Sequence, residues 1–172
     1  CGVMTGAGSV LAALRPPAGS TLAVFGTGAV GLSAIMAARL AGCTTIIGVD
    51  VNEHRLALAR DLGATHVIDG KRQGAVESIT SLTRGGADYS LDTTGNSSLT
   101  RQAVECLRIS GMCGLVGGAP FGTPISFSWE SLFFGRGVRG IVAGEVIPEL
   151  FIPQLIELHR SGRFPFGRLI EF

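Results

Sequence analysis

What this sequence has little of narrows its function first. Charged residues make up only 16% of its 172 positions, and 14 basic against 13 acidic residues leave a formal net charge of +1. No broad cationic face can be built from that balance, which excludes a large phosphate-neutralising footprint for nucleic acid. Lysine occurs once, as Lys71 in the polar turn Asp69-Gly70-Lys71-Arg72. Every other cation is an arginine, so a Schiff-base amine has one candidate, and its setting reads as solvated surface. The four cysteines, Cys1, Cys43, Cys106 and Cys113, form no C-x-x-C pair. That spacing argues against a disulfide framework and fits a reducing, cytoplasmic compartment, with three of the four read as core. His54, His66 and His159 are the only histidines, and none has a cysteine or histidine at ligand spacing. They read as structural or solvated. The uncharged run 16–38 is long enough to cross a bilayer of ~30 Å. Pro16, Pro17, Gly19, Gly26, Gly28 and Gly31 interrupt it, so a membrane span is not expected. No basic leader precedes it. The chain opens on Cys1 without an initiating methionine and stops at Phe172, which suggests an excised piece of a longer protein.

What is present is alternation. Hydrophobic residues make up 46% of the chain and glycine supplies 26 positions, as expected of one globular, turn-rich domain. Short apolar, β-branched runs at 21–25, 45–49, 66–68, 89–91, 112–116 and 138–142 predict strands. Between them, 29–40, 53–62, 74–83 and 97–107 place apolar residues three and four apart and predict helices. Pro148 and Pro153 bracket the start of a last amphipathic helix reaching about His159. Gly63 and Gly111 read as stops after helices ending at Leu62 and near Arg108, and Ser97 or Ser98 as the cap of the helix that starts there. Apolar strands each followed by a crossover helix predict an α/β fold, a doubly wound parallel sheet of six strands. Within it, 1–16 reads as a junction segment and helix, 17–144 as the sheet core, and 145–172 as the last helix and return.

One glycine pattern sits where a doubly wound sheet binds ligands. Gly26-Thr27-Gly28-Ala29-Val30-Gly31 reads G-x-G-x-x-G, directly after a predicted strand and opening a predicted helix. Gly26 permits the tight turn, Gly28 lets a pyrophosphate approach the backbone, and Gly31 lets helix and strand pack closely. The helix N-terminus then offers free N–H groups and a positive dipole end to phosphate. The second strand closes on Asp50, 19 residues after Gly31, where a carboxylate can accept hydrogen bonds from ribose hydroxyls. Val51 and Asn52 follow, with no adjacent arginine for a 2′-phosphate. A carboxylate about 4 Å from a phosphate charge costs on the order of 4 kcal/mol at an effective dielectric near 20, roughly three decades of affinity. NAD(H) is therefore expected over NADP(H), with Arg55 the one cation near enough to reach the adenosine edge.

Cys1-Gly2-Val3-Met4-Thr5-Gly6, the glycine loop, Val49-Asp50-Val51-Asn52-Glu53-His54-Arg55-Leu56 and Leu62-Gly63-Ala64-Thr65 together resemble the zinc-dependent medium-chain alcohol dehydrogenases. The aryl- or benzyl-alcohol branch is the nearest in pattern. The resemblance spans all 172 residues but only the coenzyme-binding part of a protein about twice as long. It implies that Cys1 is the third protein ligand of a catalytic zinc, and that Thr5 and Val30 pack the nicotinamide. It implies further that Thr93, Thr94, Val116, Gly117 and Gly118, at strand ends, border the coenzyme cleft. The family's other zinc ligands, its structural-zinc lobe and its proton relay belong to a segment not present here. No catalytic acid or base is assigned in this chain, Asp88 and Asp92 included, and one thiolate alone cannot hold zinc. The expectation is an NAD-binding module that does not itself catalyse hydride transfer.

Three rivals stay open on the sequence: a non-catalytic NAD-sensing module, a zinc-free NADPH reductase relative, and a methyltransferase. The run Gly137-Val138-Arg139-Gly140-Ile141-Val142 resembles the edge strand through which family members pair two sheets, and predicts a homodimer. Phe133 and Phe134 read as core packing before they read as lining for an aromatic alcohol.

Overall fold

The computed structural model describes residues 1–72 and 74–170. Six strands, β1 (Thr21–Phe25), β2 (Thr45–Asp50), β3 (His66–Asp69), β4 (Ala87–Asp92), β5 (Leu107–Leu115) and β6 (Gly137–Gly140), form one sheet. Its order is β3-β2-β1-β4-β5-β6 and every neighbouring pair is parallel. The order reverses between β1 and β4, which is the switch point where open α/β sheets bind ligands beyond the strand C-termini. This is the NAD(P)-binding Rossmann architecture that the alternation of strand and helix predicts.

Side-chain alternation in the strands feeds two cores. In β1, Leu22 and Val24 point to one face, while Ala23 and Phe25 point to the other. The first face is covered by α1 (Gly2–Gly8) with the π-helical turn Ser9–Leu14, by α2 (Ala29–Leu40) and α3 (Glu53–Leu62), and by α7 (Pro148–Arg160). The second lies under α4 (Ala75–Thr83) and α5 (Ser97–Glu105). Both faces of β1 and β2 are thus dry, which is why 22–25 and 46–49 carry no polar side, whereas β4 buries the polar Ser90 and Asp92. A short helix, α6 (Trp129–Phe133), stands between β5 and β6. Among the described residues no helix is long and apolar enough to cross a membrane.

Several local expectations are corrected. The helical reading of 97–107 ends at Glu105, because Leu107 pairs with Ala87 and opens β5. Sheet pairing overrides the helical period there, and Gly111 lies inside the strand. Its neighbour Ser110 takes φ +61° near a register shift between β4 and β5. Neither Ser97 nor Ser98 caps α5. Asn96 does, its side-chain oxygen accepting from the N–H groups of Ser98 and Leu99. The last strand stops at Gly140, although the Ile141 N–H still reaches the Leu115 carbonyl at 2.8 Å. The capping of α3 matches expectation, with Gly63 at φ +123° after Leu62. Phe133 and Phe134 are exposed, 59% and 52%, and so are not core.

Candidate functional site

The turn from β1 into α2 is shaped by contacts that only glycine allows. Gly26 adopts φ +88°, and a side chain there would meet Thr93 Oγ1 at 2.6 Å. Thr93 uses that hydroxyl to tie the end of β4 to β1, donating toward the Phe25 and Gly26 carbonyls at 2.9 and 3.1 Å. Gly31 lets α2 start against the strand, since a Cβ there would lie 1.9 Å from the Gly26 carbonyl oxygen. Gly28 is different. A Cβ at Gly28 would meet nothing within 4 Å, so its bareness serves the space outside the chain.

Gly28 is the N-cap of α2 and offers no side-chain acceptor, and the first turn of α2 holds no acidic residue. At α3 and α5, by contrast, Asn52 and Asn96 fill that role with their own side chains. The first N–H groups of a helix have no intrahelical partner. On α2 these groups and the positive dipole end stay free for an anion.

The neighbouring strand ends bring Asp50 to the same place. Its Oδ2 accepts from the Thr27 N–H at 2.6 Å and the Thr27 hydroxyl at 2.9 Å. Its Oδ1 accepts from the N–H groups of Val51 at 2.7 Å and Asn52 at 3.0 Å. Partial burial pushes the carboxyl upward, but these four donors outweigh it and hold Asp50 below the ordinary carboxylate range. Asp92, at the end of β4, is buried. It accepts from the Thr94 N–H and hydroxyl at 2.8 and 2.6 Å, and from the Thr100 hydroxyl at 2.6 Å, which fixes the turn carrying Thr93 and Thr94.

Between these elements lies a cleft of about 450 Å³. Of the residues singled out in the sequence, Gly26, Gly28, Ala29, Val30, Asp50, Val51, Arg55, Thr93 and Thr94 line it. Thr27 and Gly31 lie behind the wall, both buried. Val116, Gly117 and Gly118 do not line it; the N–H groups of Val116 and Gly117 donate to the Asp92 carbonyl. Gly117 and Gly118 interlock with Gly95: a Cβ on Gly117 would lie 2.1 Å from the Gly95 nitrogen, and one on Gly95 would lie 2.1 Å from the Gly118 oxygen. Sequence reasoning missed Phe25, Val49, Gly70, Leu99 and Gln102, which also line the cleft. The separation of Leu99 and Gln102 by three residues, one helical turn on α5, is the signal that could have found them.

Thr5, on α1, and Cys1, its N-cap, do not line the cleft, although α1 runs against Val30, which does. A Cβ on Gly6 would lie 2.0 Å from the Val30 carbonyl oxygen, so α1 crosses the start of α2 at backbone contact. Thr5 is buried there, and Cys1, exposed, has its Sγ 3.9 Å from Thr5 Oγ1. Among the described residues no group of three histidine, cysteine or acidic side chains could hold a metal. Any zinc that uses Cys1 must take its other donors from elsewhere. Asp88 is remote from the cleft, at the opposite end of β4, where it accepts from the Thr21 N–H at 2.7 Å and pairs with Arg108 at 2.6 Å. His66 meets the Thr65 hydroxyl, and His159 stacks on Phe166.

Comparison with known proteins agrees with this geometry. Residues 29–159 match the family described as zinc-binding dehydrogenase. Geraniol dehydrogenase from Castellaniella defragrans is 40% identical over 99% of this chain, which covers 46% of that protein. The crystal structure of an alcohol dehydrogenase zinc-binding domain protein from Burkholderia ambifaria superposes with a TM-score of 0.98 at 50% identity, covering all of this chain and 47% of the other. Benzyl alcohol dehydrogenase from Acinetobacter calcoaceticus gives 0.97 at 42% identity, with 100% and 48% coverage. The chain spans about half the length of the curated relatives it matches. This chain therefore belongs to the zinc-binding dehydrogenase family and corresponds to its dinucleotide-binding module.

Proposed function

We propose that the cleft binds NAD(H) in preference to NADP(H), and that the chain is the coenzyme half of an NAD-dependent, zinc-requiring alcohol dehydrogenase. The observation that carries the reading is the free N-terminus of α2, left without a side-chain cap at Gly28, beside the anionic Asp50. The N–H groups of Ala29, Val30 and Gly31 suit a diphosphate, and the Asp50 oxygens suit a ribose diol. A 2′-phosphate would bring negative charge against Asp50. Arg55, exposed at the rim, is the only basic residue lining the cleft among those described.

NAD, when bound, supplies the hydride-accepting ring, and the chain supplies position and electrostatics. Thr5 and Val30 stand where α1 meets α2 and would pack one ring face. Zinc, when bound, supplies a Lewis acid, to which this chain would contribute only the Cys1 thiolate. The substrate is an alcohol or aldehyde, with aromatic alcohols favoured by the likeness to benzyl alcohol dehydrogenase. A cytoplasmic setting fits the four free cysteines. Pairing across the outer strand β6, next to Val142 at 83% exposure, would give a homodimer. Sedimentation at micromolar concentration tests that pairing, and a monomer refutes it.

Calorimetric titration tests the coenzyme reading. NADH should bind at least about tenfold more tightly than NADPH, and Asp50→Ala should remove most of that preference. Equal binding of both coenzymes, or tighter binding of S-adenosylmethionine, would refute it.

A further inference from the structure

We infer that Thr27 is a positioning residue for coenzyme, acting only through Asp50: its hydroxyl, sealed behind the cleft wall, fixes the edge of the carboxylate offered to the ribose diol. The inference rests on the coenzyme reading above. In the glycine loop the position after Gly26 would be expected to touch ligand. Here Thr27 is 0% exposed and does not line the cleft.

Its placement is tightly determined. The methyl packs toward β2, where a Cβ on Gly48 would lie 3.2 Å from Thr27 Cγ2, with Ile35 and Ala59 close by. That packing turns the hydroxyl onto Asp50 Oδ2 at 2.9 Å, beside the bond from the Thr27 N–H to the same oxygen. Each oxygen of this carboxylate accepts from two donors, Oδ2 from the Thr27 N–H and hydroxyl and Oδ1 from the N–H groups of Val51 and Asn52. Three of the donors are backbone N–H groups held by the β1–α2 turn and the start of α3. The Thr27 hydroxyl is the only one that a single substitution removes without disturbing a backbone bond.

The terminal torsion of an aspartate is broad and roughly two-fold, so its orientation must be imposed by partners. With the hydroxyl gone, Oδ2 keeps one donor while Oδ1 keeps two, and the carboxylate loses a charge-assisted bond that helps to set its tilt. The anionic form is then less favoured, and a ribose diol meets a less ordered acceptor.

Thr27→Val is nearly isosteric and removes only the donor. NADH titrations of this variant across acidic pH should show a dissociation constant raised about five- to tenfold, as expected for partial loss of one bond to a charged group. The acid limb of binding should move to higher pH, and Thr27→Ser should restore both features. A merely structural threonine would lower the melting temperature and leave the acid limb in place. If the valine variant does not fold, Thr27→Ala removes the same donor without added bulk. Wild-type affinity and an unmoved acid limb in the hydroxyl-free variant would overturn the inference while leaving the coenzyme reading intact. A wild-type chain that takes up no NADH would overturn that reading, and the inference with it.

Discussion

Gly31 and Gly26 meet backbone to backbone: a Cβ at Gly31 would stand 1.9 Å from the Gly26 carbonyl oxygen, and 3.2 Å from Val24 Cγ1. Gly28, between them, borders open space. The three glycines of one motif therefore divide into two that shape the protein and one whose missing side chain leaves open space. Gly31→Ala should cost roughly 4 kcal/mol or more, because no flexible side chain can yield. Gly28→Ala, at an ordinary φ of −75°, should change stability by less than about 1 kcal/mol yet weaken NADH binding at least about tenfold. Urea unfolding and coenzyme titration of the two variants check this, and equal stability losses would contradict it.

Asp50 ties acid stability to the site. Its folded-state carboxyl lies below the unfolded value of about 3.9, so its contribution is complete above that pH and is lost as pH falls through the lower folded value. Unfolding free energies measured between about pH 2 and pH 7 should show a smaller acid-dependent loss in Asp50→Asn than in the wild type. Identical slopes would show that the hydrogen bonds from Thr27, Val51 and Asn52 do not govern this titration.

The thiols should divide sharply. Burial, aided by the charge of Asp88, pushes Cys43 up to about 11; burial pushes Cys113 to about 12, and Cys106 is raised by burial as well. Only Cys1 is exposed. A thiol-specific disulfide reagent at neutral pH should modify Cys1 within minutes and the other three only after denaturation. Fast reaction of a second thiol in the folded protein would show that the core opens locally.

Much of this was legible in the primary sequence where the physics is local. Glycines at 26, 28 and 31 imply a turn, and a carboxylate closing the next strand is carried to the same cleft. Apolar, β-branched runs and a period of three to four give the strands and helices to within a residue or two in β1, α2 and α3. The failures lie where tertiary pairing decides. Leu107 fits a helical period but is claimed by Ala87 across the sheet, and Asn96 captures the cap that Ser97 and Ser98 could have supplied. The inward turn of Thr27 was hidden for the same reason, since it depends on the empty position of Gly48 on a strand that joins only in three dimensions.

The backbone contact of Gly6 with Val30 carries a mechanical meaning. Because α1 is clamped to the start of α2 with no side chain between them, the two helices cannot slide past one another without breaking backbone contact. Under the coenzyme reading proposed above, a hinge would then fall outside the α1–α2 pair, and Cys1, at the N-cap of α1, would keep its distance from the Gly28 end of α2.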